Sequence, residues 1–368
     1  MLILRAVSAV QLDTTAQPLS TGQCVTSSGP LMLPLTTLDS TNFAGHESFP
    51  LRYAWLKKGF DCLLSSGPRA FSNDEALVEL GVGKNMVRAI RHWGLVCGVW
   101  QEADRSRGRE LRVTALGWML LADAESAATC PKSSTAHLAA SVVSRPGIDP
   151  YLQSGDTWWF LHAQIVANAK EATSWTWLFN RPKSARFEKT DLVAELSELA
   201  SNVRGSRVSE ATIRRDVDVL VRSYVRSRAV DLDDEDSLDS PFVSLGLLRN
   251  APERNAYELV DGQRVRIPSW VILACLSNFW SGKGVRGSRS IGLDELVYGT
   301  GSPGRVFRLS EEGVVSHAER LAVAFPHLLN FNDTAGLRQL LVIQDLPKPE
   351  EIVRTHRDAQ KLGAGHGN

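Results

Sequence analysis

Apolar positions recur at helical spacing in two stretches of this chain, and each stretch carries the punctuation of a helix-turn-helix. The first is Ser72 to Trp93, SNDEALVELGVGKNMVRAIRHW. Its pattern predicts a helix over Asp74 to Leu80, a turn at Gly81-Val82-Gly83, and a second helix opening at Lys84 and Asn85. Leu77, Leu80, Val87 and Ile90 point inward, while Lys84, Arg88 and Arg91 at i, i+4 and i+7 share the opposite face. The second stretch is Lys189 to Val221. There Ser209 is expected to cap a helix that buries Ile213, Val217 and Leu220. Thr212, Arg214 and Arg215 then face outward, with Arg204 and Arg207 in the segment just ahead. Two such units with basic outer faces point to double-stranded DNA. A protein-protein module or a plain structural bundle is the alternative.

Each unit is followed by strand-like sequence. Leu95 to Trp100 and Leu111 to Thr114 flank a charged tip, Asp104 to Arg109, which predicts a β-hairpin wing. Arg107 and Arg109 at that tip can meet phosphate or the minor groove, unless the tip is merely solvated. Strands near Phe242 to Leu248 and Ala256 to Leu259 suggest a second wing. The aromatic cluster Trp158, Trp159, Phe160, Trp175, Trp177 and Phe179 reads as core rather than a base-stacking platform. Beyond it the chain reads as helical, from Pro268 to Phe279 and from Ser310 to Phe325. The expected fold class is therefore mainly α with small β-hairpin wings: tandem winged helix-turn-helix domains plus a helical C-terminal region. The boundaries drawn are a disordered tail over 1–40, a first domain over 41–127, and a linker over 128–148. A second winged unit follows over 149–262, then a helical region over 263–355 and a frayed tail over 356–368.

Composition changes little in this picture. The 368 residues carry 41 Lys+Arg and 41 Asp+Glu, so the chain is formally neutral, but the charge is segmented. Thr41 to Trp118 holds 11 Lys/Arg against 8 Asp/Glu, and Arg181 to Arg228 holds 11 against 7. Carboxylates follow at once: Asp231, Asp233, Asp234, Glu235, Asp236 and Asp239. Five scattered cysteines with no C-x-x-C pair argue against structural zinc or a disulfide framework. A cytoplasmic protein without a membrane span is expected, because the apolar start MLILRAVSAVQL is short and broken by Arg5. Met32 is an alternative start.

Two places offer reactive groups. In FAGHESFPLR (Phe43 to Arg52), His46 and Glu47 suit a metal ligand or general base beside Arg52, although a buried cap made of the same polar groups is the blander reading. In the acidic loop, Glu235, Asp236 and Asp239 suit a divalent metal, Mg or Mn, beside a scissile phosphate. Carboxylate runs are more often solvated shields. A weaker third place is Asp149-Pro150-Tyr151 with Asp156.

Four ordered motifs carry a family resemblance: FAGHESFPLRYAWLKKG (Phe43 to Gly59), LGVGKNMVRAIRHWGLV (Leu80 to Val96), DPYLQSGDTWWFLHAQI (Asp149 to Ile165) and VSEATIRRDVDVLVRSYV (Val208 to Val225). Together they resemble the SspB-type proteins encoded with bacterial DNA phosphorothioation genes, over roughly Asn42 to Leu259. The last motif is also similar to the DNA-reading helix of DeoR-type repressors. The resemblance implies a DNA-nicking component of a pathway that replaces a non-bridging phosphate oxygen with sulfur and so marks self against phage. It implies as partners a cysteine desulfurase, an ATPase and an ATP-pyrophosphatase-like protein. It assigns no catalytic residue here. A non-catalytic DNA-binding adaptor or transcriptional regulator that recruits the sulfur-transfer enzymes stays open beside it.

Overall fold

Three successive blocks of the chain, seen in a computed structural model, repeat one order of elements: helices that lead into an antiparallel hairpin. The structure describes residues 41–72, 74–129, 135–181, 185–203, 208–226, 240–282, 289–334 and 336–364. Block one comprises α1 (Trp55–Ser65), α2 (Glu75–Leu80), α3 (Lys84–Val96), β1 (Trp100–Glu102) and β2 (Leu111–Val113). Connecting helices α4 (Ala115–Leu121), α5 (Ala124–Thr129) and α6 (Ala140–Val143) follow. Block two has α7 (Gly155–Ala167), α8 (Thr173–Asn180), β3 (Arg186–Glu188), α9 (Lys189–Asn202), α10 (Glu210–Tyr224), β4 (Leu248–Asn250) and β5 (Ala256–Leu259). Block three has α11 (Ser269–Gly282), β6 (Ser290–Gly292), α12 (Leu293–Tyr298), α13 (Pro303–Phe307), α14 (Glu311–Ala324), β7 (Leu329–Thr334) and β8 (Leu337–Val342). Helix α15 (Pro349–Ala364) ends the described chain. The protein is mainly helical with small antiparallel sheets.

The second and third sheets share one topology, β3-β5-β4 and β6-β8-β7. In each, the strand ahead of the helices pairs with the last strand of the hairpin. Block one replaces that outer strand with one backbone bond, Leu111 N–H to the Pro68 carbonyl at 2.8 Å.

Local chemistry explains most boundaries. Gly81 takes the left-handed conformation (φ 64°) that ends α2, and Gly83 is extended just before α3. Ser209, Ser310 and Thr114 cap α10, α14 and α4, each accepting a backbone N–H through its side chain. Asp74, by contrast, makes no side-chain cap on α2.

The structure departs from the sequence pattern in several places. Leu95 and Val96 extend the apolar stripe of α3, so the first strand shrinks to Trp100–Glu102. Phe242 to Leu245 is a 3₁₀ turn, because Pro241 opens it and left-handed Gly246 (φ 60°) closes it. The third block contains the β6-β8-β7 sheet, where the sequence pattern predicts a mainly helical region and no strands. Chain beyond His356 is helical to Ala364, not frayed: His356 stacks on Trp270 at 4.8 Å, and buried Arg357 donates to the carbonyls of Val142 (2.9 Å) and Ser141 (3.2 Å). That same bond pair anchors α6, which falls in the expected linker.

Helix α7 is buried almost all round, as a core helix should be, with Trp158, Phe160, Leu161, Ile165 and Val166 inside. Fully buried His162 on it joins the blocks. Its Nε2 lies 2.7 Å from the Val306 carbonyl and must donate, so Nδ1 accepts from the Tyr224 hydroxyl at 2.7 Å. Burial pushes this imidazole down to about 3, which keeps it neutral in that role.

Candidate nucleic-acid interface

The basic face of α3 forms as the helical spacing requires. Lys84, Asn85 and Arg88 are exposed, while Val87 and Ile90 are buried beneath them. Arg91 is half-buried and spans to the hairpin, donating to Glu102 (2.7 Å) and to the Gly108 carbonyl (2.9 Å). It therefore fixes the hairpin tip against α3. At the tip Arg105 (φ 61°), Arg107 (φ 54°) and Gly108 (φ 76°) are left-handed, so the chain curls. The curl makes a concavity of about 400 Å³ lined by Arg69, Arg105, Arg107 and Arg109, with Asp104 and Glu110. Arg69 pairs with Glu110 at 2.8 Å. Sequence reasoning does not single out Arg69, since it lies 41 residues from Glu110 and joins the tip only through the fold.

On α10, Arg214 and Arg215 are exposed at the N-terminal end and Thr212 is half-buried. Arg214 is drawn back onto Glu210 (2.6 Å), and Thr212 Oγ1 lies 2.9 Å from the Ser209 hydroxyl. Further along, the helix is buried on a second side as well, at Asp216, Val219 and Ser223. Arg204, Arg207, Glu235, Asp236 and Asp239 lie outside the described residues.

The Phe43 to Pro50 loop locks the first two blocks together. The Ser48 N–H donates to His46 Nδ1 (3.1 Å), so the ring proton sits on Nε2 and donates to Asp216 Oδ1 at 2.7 Å. The Ala44 N–H donates to the same oxygen (2.9 Å), and Arg222 donates to the Ser48 carbonyl (2.7 Å). Trp93 donates to the Phe49 carbonyl at 3.0 Å. Ala44 (φ 72°), Glu47 (φ 49°) and Ser48 (φ 70°) are held left-handed by these bonds. Gly45 is required, since a Cβ there would come within 2.4 Å of His92 Nδ1. Burial pushes His92 down to about 3, and the neighbouring His46 adds to the effect.

His46 and Glu47 thus part company. His46 turns into the core, while Glu47 turns outward to Arg88 at 3.3 Å. Arg52 lies over the Trp55 ring at 5.5 Å. Among the described residues no three His, Cys, Asp or Glu side chains gather to hold a metal ion. Asp149 is taken up in capping, accepting from the Gln153 and Ser154 amides and the Thr157 hydroxyl. Asp216, which sequence reasoning missed, left one trace: a carboxylate inside the apolar stripe of Ile213, Val217 and Leu220.

Among the described residues no helix is long and apolar enough to cross a membrane. A search of curated proteins found no match. Two solved structures are similar across the chain. One, described as an SspB crystal structure, has a TM-score of 0.71 and 26% identity, covering 91% of this chain and 92% of its own. The other, described as a magnesium ion-bound SspB crystal structure, also has a TM-score of 0.71, with 27% identity and 91% of each chain covered. A family described as a protein of unknown function (DUF4007) matches residues 43–356. The chain belongs to this DUF4007 family, and its architecture is that of the SspB-type proteins.

Proposed function

We propose that this protein acts in an Ssp-type DNA phosphorothioation and anti-phage system as a component that binds and nicks double-stranded DNA. Its repeating blocks are read as winged helix-turn-helix units, with α3 and α10 as the helices presented to DNA and β1-β2 as a wing. One observation carries the reading: Arg91 ties the arginine-rich hairpin tip to the helix that exposes Lys84, Asn85 and Arg88. A groove-reading helix and a phosphate-gripping tip are thereby held in one rigid frame, the combination that DNA docking uses. Arg107 and Arg109 would grip the backbone. Thr212, Arg214 and Arg215, with Arg204 and Arg207, would extend the footprint on the second unit. The sulfur-transfer partners would be a cysteine desulfurase, an ATPase and an ATP-pyrophosphatase-like protein. A cytoplasmic location follows from such a role.

Nicking is the finer claim. Hydrolysis of one strand needs an activated water and a stabilised leaving oxygen, which carboxylates with Mg or Mn supply. Among the described residues no three His, Cys, Asp or Glu side chains gather to hold a metal, and His46 is turned into the core against Asp216. On the chemistry of the acidic run, the carboxylates we assign to metal are Glu235, Asp236 and Asp239, with Glu47 as the competing position. One similar solved structure is described as magnesium ion-bound SspB, so Mg is the first ion to test. Supercoiled plasmid incubated with pure protein and Mg or Mn should be nicked, and EDTA should stop it. Asp236→Ala/Asp239→Ala should abolish nicking while DNA binding survives; Glu47→Ala should not. Nicking that persists in EDTA or in the double variant refutes the site. A wild type that binds DNA but never nicks is the adaptor instead.

A further inference from the structure

A cleft of about 590 Å³ lies between the first block and the helices α7, α11 and α15, apart from the basic faces described above. Its floor is apolar, formed by Val96, Trp100 and Leu116. Its walls are rich in amides. Gln164 on α7 is only 8% exposed, yet its carboxamide has no partner among the described residues. Half-buried Asn278 on α11 is equally unbonded among them, whereas neighbouring Asn168 is fully used by the Leu95 and Val96 carbonyls and the Glu171 N–H. Burial holds the Glu350 carboxyl above its usual range at the same wall.

The Gln164 carboxamide opens onto the cleft with no protein partner among the described residues, which leaves its donor and acceptor free for an occupant. The amide presents a donor and an acceptor side by side in one plane, the complement of a nucleobase edge. A flat base also suits an apolar floor, as stacking sites for single nucleotides do. Three carboxylates (Glu102, Glu171 and Glu350) outnumber Lys170 and Lys348 around the cleft, which disfavours a polyanion inside it but not a neutral base. The cleft also opens at β1, whose Glu102 is bonded to Arg91 of α3.

We propose that this cleft receives a single nucleobase, recognised by Gln164 and Asn278. The base is either extruded from a duplex held on α3, a source that rests on the DNA reading above, or carried by a free nucleoside. Both sources are testable on the full chain. Calorimetric titration with the four nucleosides should show binding to the wild type that Gln164→Leu weakens about tenfold or more. A duplex containing 2-aminopurine at a mismatch should gain fluorescence with the wild type and much less with Gln164→Leu. Should Gln164→Leu fail to fold by circular dichroism, Asn278→Ala carries both measurements. Absence of both signals in folded wild type, or signals unchanged in both variants, overturns the proposal. A wild type that shifts duplex in a gel yet gives neither signal overturns the cleft alone. One that binds nucleoside but not duplex upholds the cleft and overturns the DNA reading.

Discussion

The first and third blocks share an order of elements but present opposite surfaces. In each, the helix leading into the hairpin has an outward face: Lys84, Asn85 and Arg88 on α3, but Glu311, Glu312 and Glu319 on α14. The architecture is common and the charge is not. Phosphate attraction is sequence-independent and scales with the cations offered, so under the proposed DNA reading the third block would repel the duplex that the first would attract. The lesson is that repetition of a fold does not repeat a function. Each unit must be judged by what its exposed helix carries.

The sharpest way to break this contrast is charge reversal. Arg88→Glu/Arg91→Glu should cut DNA affinity by more than about tenfold at moderate salt and lower the salt slope by about one unit for each phosphate no longer neutralised. Neutralising the third block's helix with Glu312→Ala/Glu319→Ala should move affinity less than about twofold. Fluorescence anisotropy at several salt concentrations decides it, and equal effects would end the distinction.

Stability gives the next largest effect. Asp216→Ala strands the His46 Nε2–H and the Ala44 N–H in the core between the first two blocks, which should cost about 3 kcal/mol. Urea unfolding measures this, and a loss under about 1 kcal/mol would mean the loop is not a lock.

Acid should then weaken the whole chain. His92 and His162 titrate near 3 when folded and near 6.5 when unfolded, so between those values the unfolded state binds more protons. Stability contributed by their neutrality is intact above about pH 6.5 and falls as pH drops, by about 1.4 kcal/mol per pH unit for each group once well below 6.5. His92→Gln should remove one such contribution from the slope of unfolding free energy against pH. An unchanged slope would place the proton uptake elsewhere.

Smallest is the effect of Glu47→Ala, which frees Arg88 from a half-exposed pair worth under about 1 kcal/mol. DNA affinity should rise at most about threefold. A large fall would instead give Glu47 a direct role.

Much of this was legible from periodicity and punctuation. The exposed face of α3, the Gly81 turn and the Ser209 cap are local, set by residues within about two turns of one another. What stayed hidden depends on distant partners. His46 reads more readily as part of a buried cap than as a ligand, but nothing near it in sequence names its partner Asp216, 170 residues away. The β6-β8-β7 sheet was missed because β6 is three residues long and its partner comes some fifty positions later. The curl at Arg105 and Arg107 was missed too, because left-handed backbone at arginine has no signature of the kind glycine provides.

The bonds from Arg357 to the Ser141 and Val142 carbonyls span more than two hundred residues, 215 in the case of Val142. During synthesis on the ribosome, the first block can bury its own core long before α15 exists. Its junction with the rest of the molecule cannot, because the guanidinium that clasps α6 emerges 215 residues after Val142. Between those moments the α6 carbonyls and the apolar side of α15's future seat on α4 stand open. The nascent chain therefore passes through a stage in which its early segment is finished but unfastened, and the fastening waits on α15.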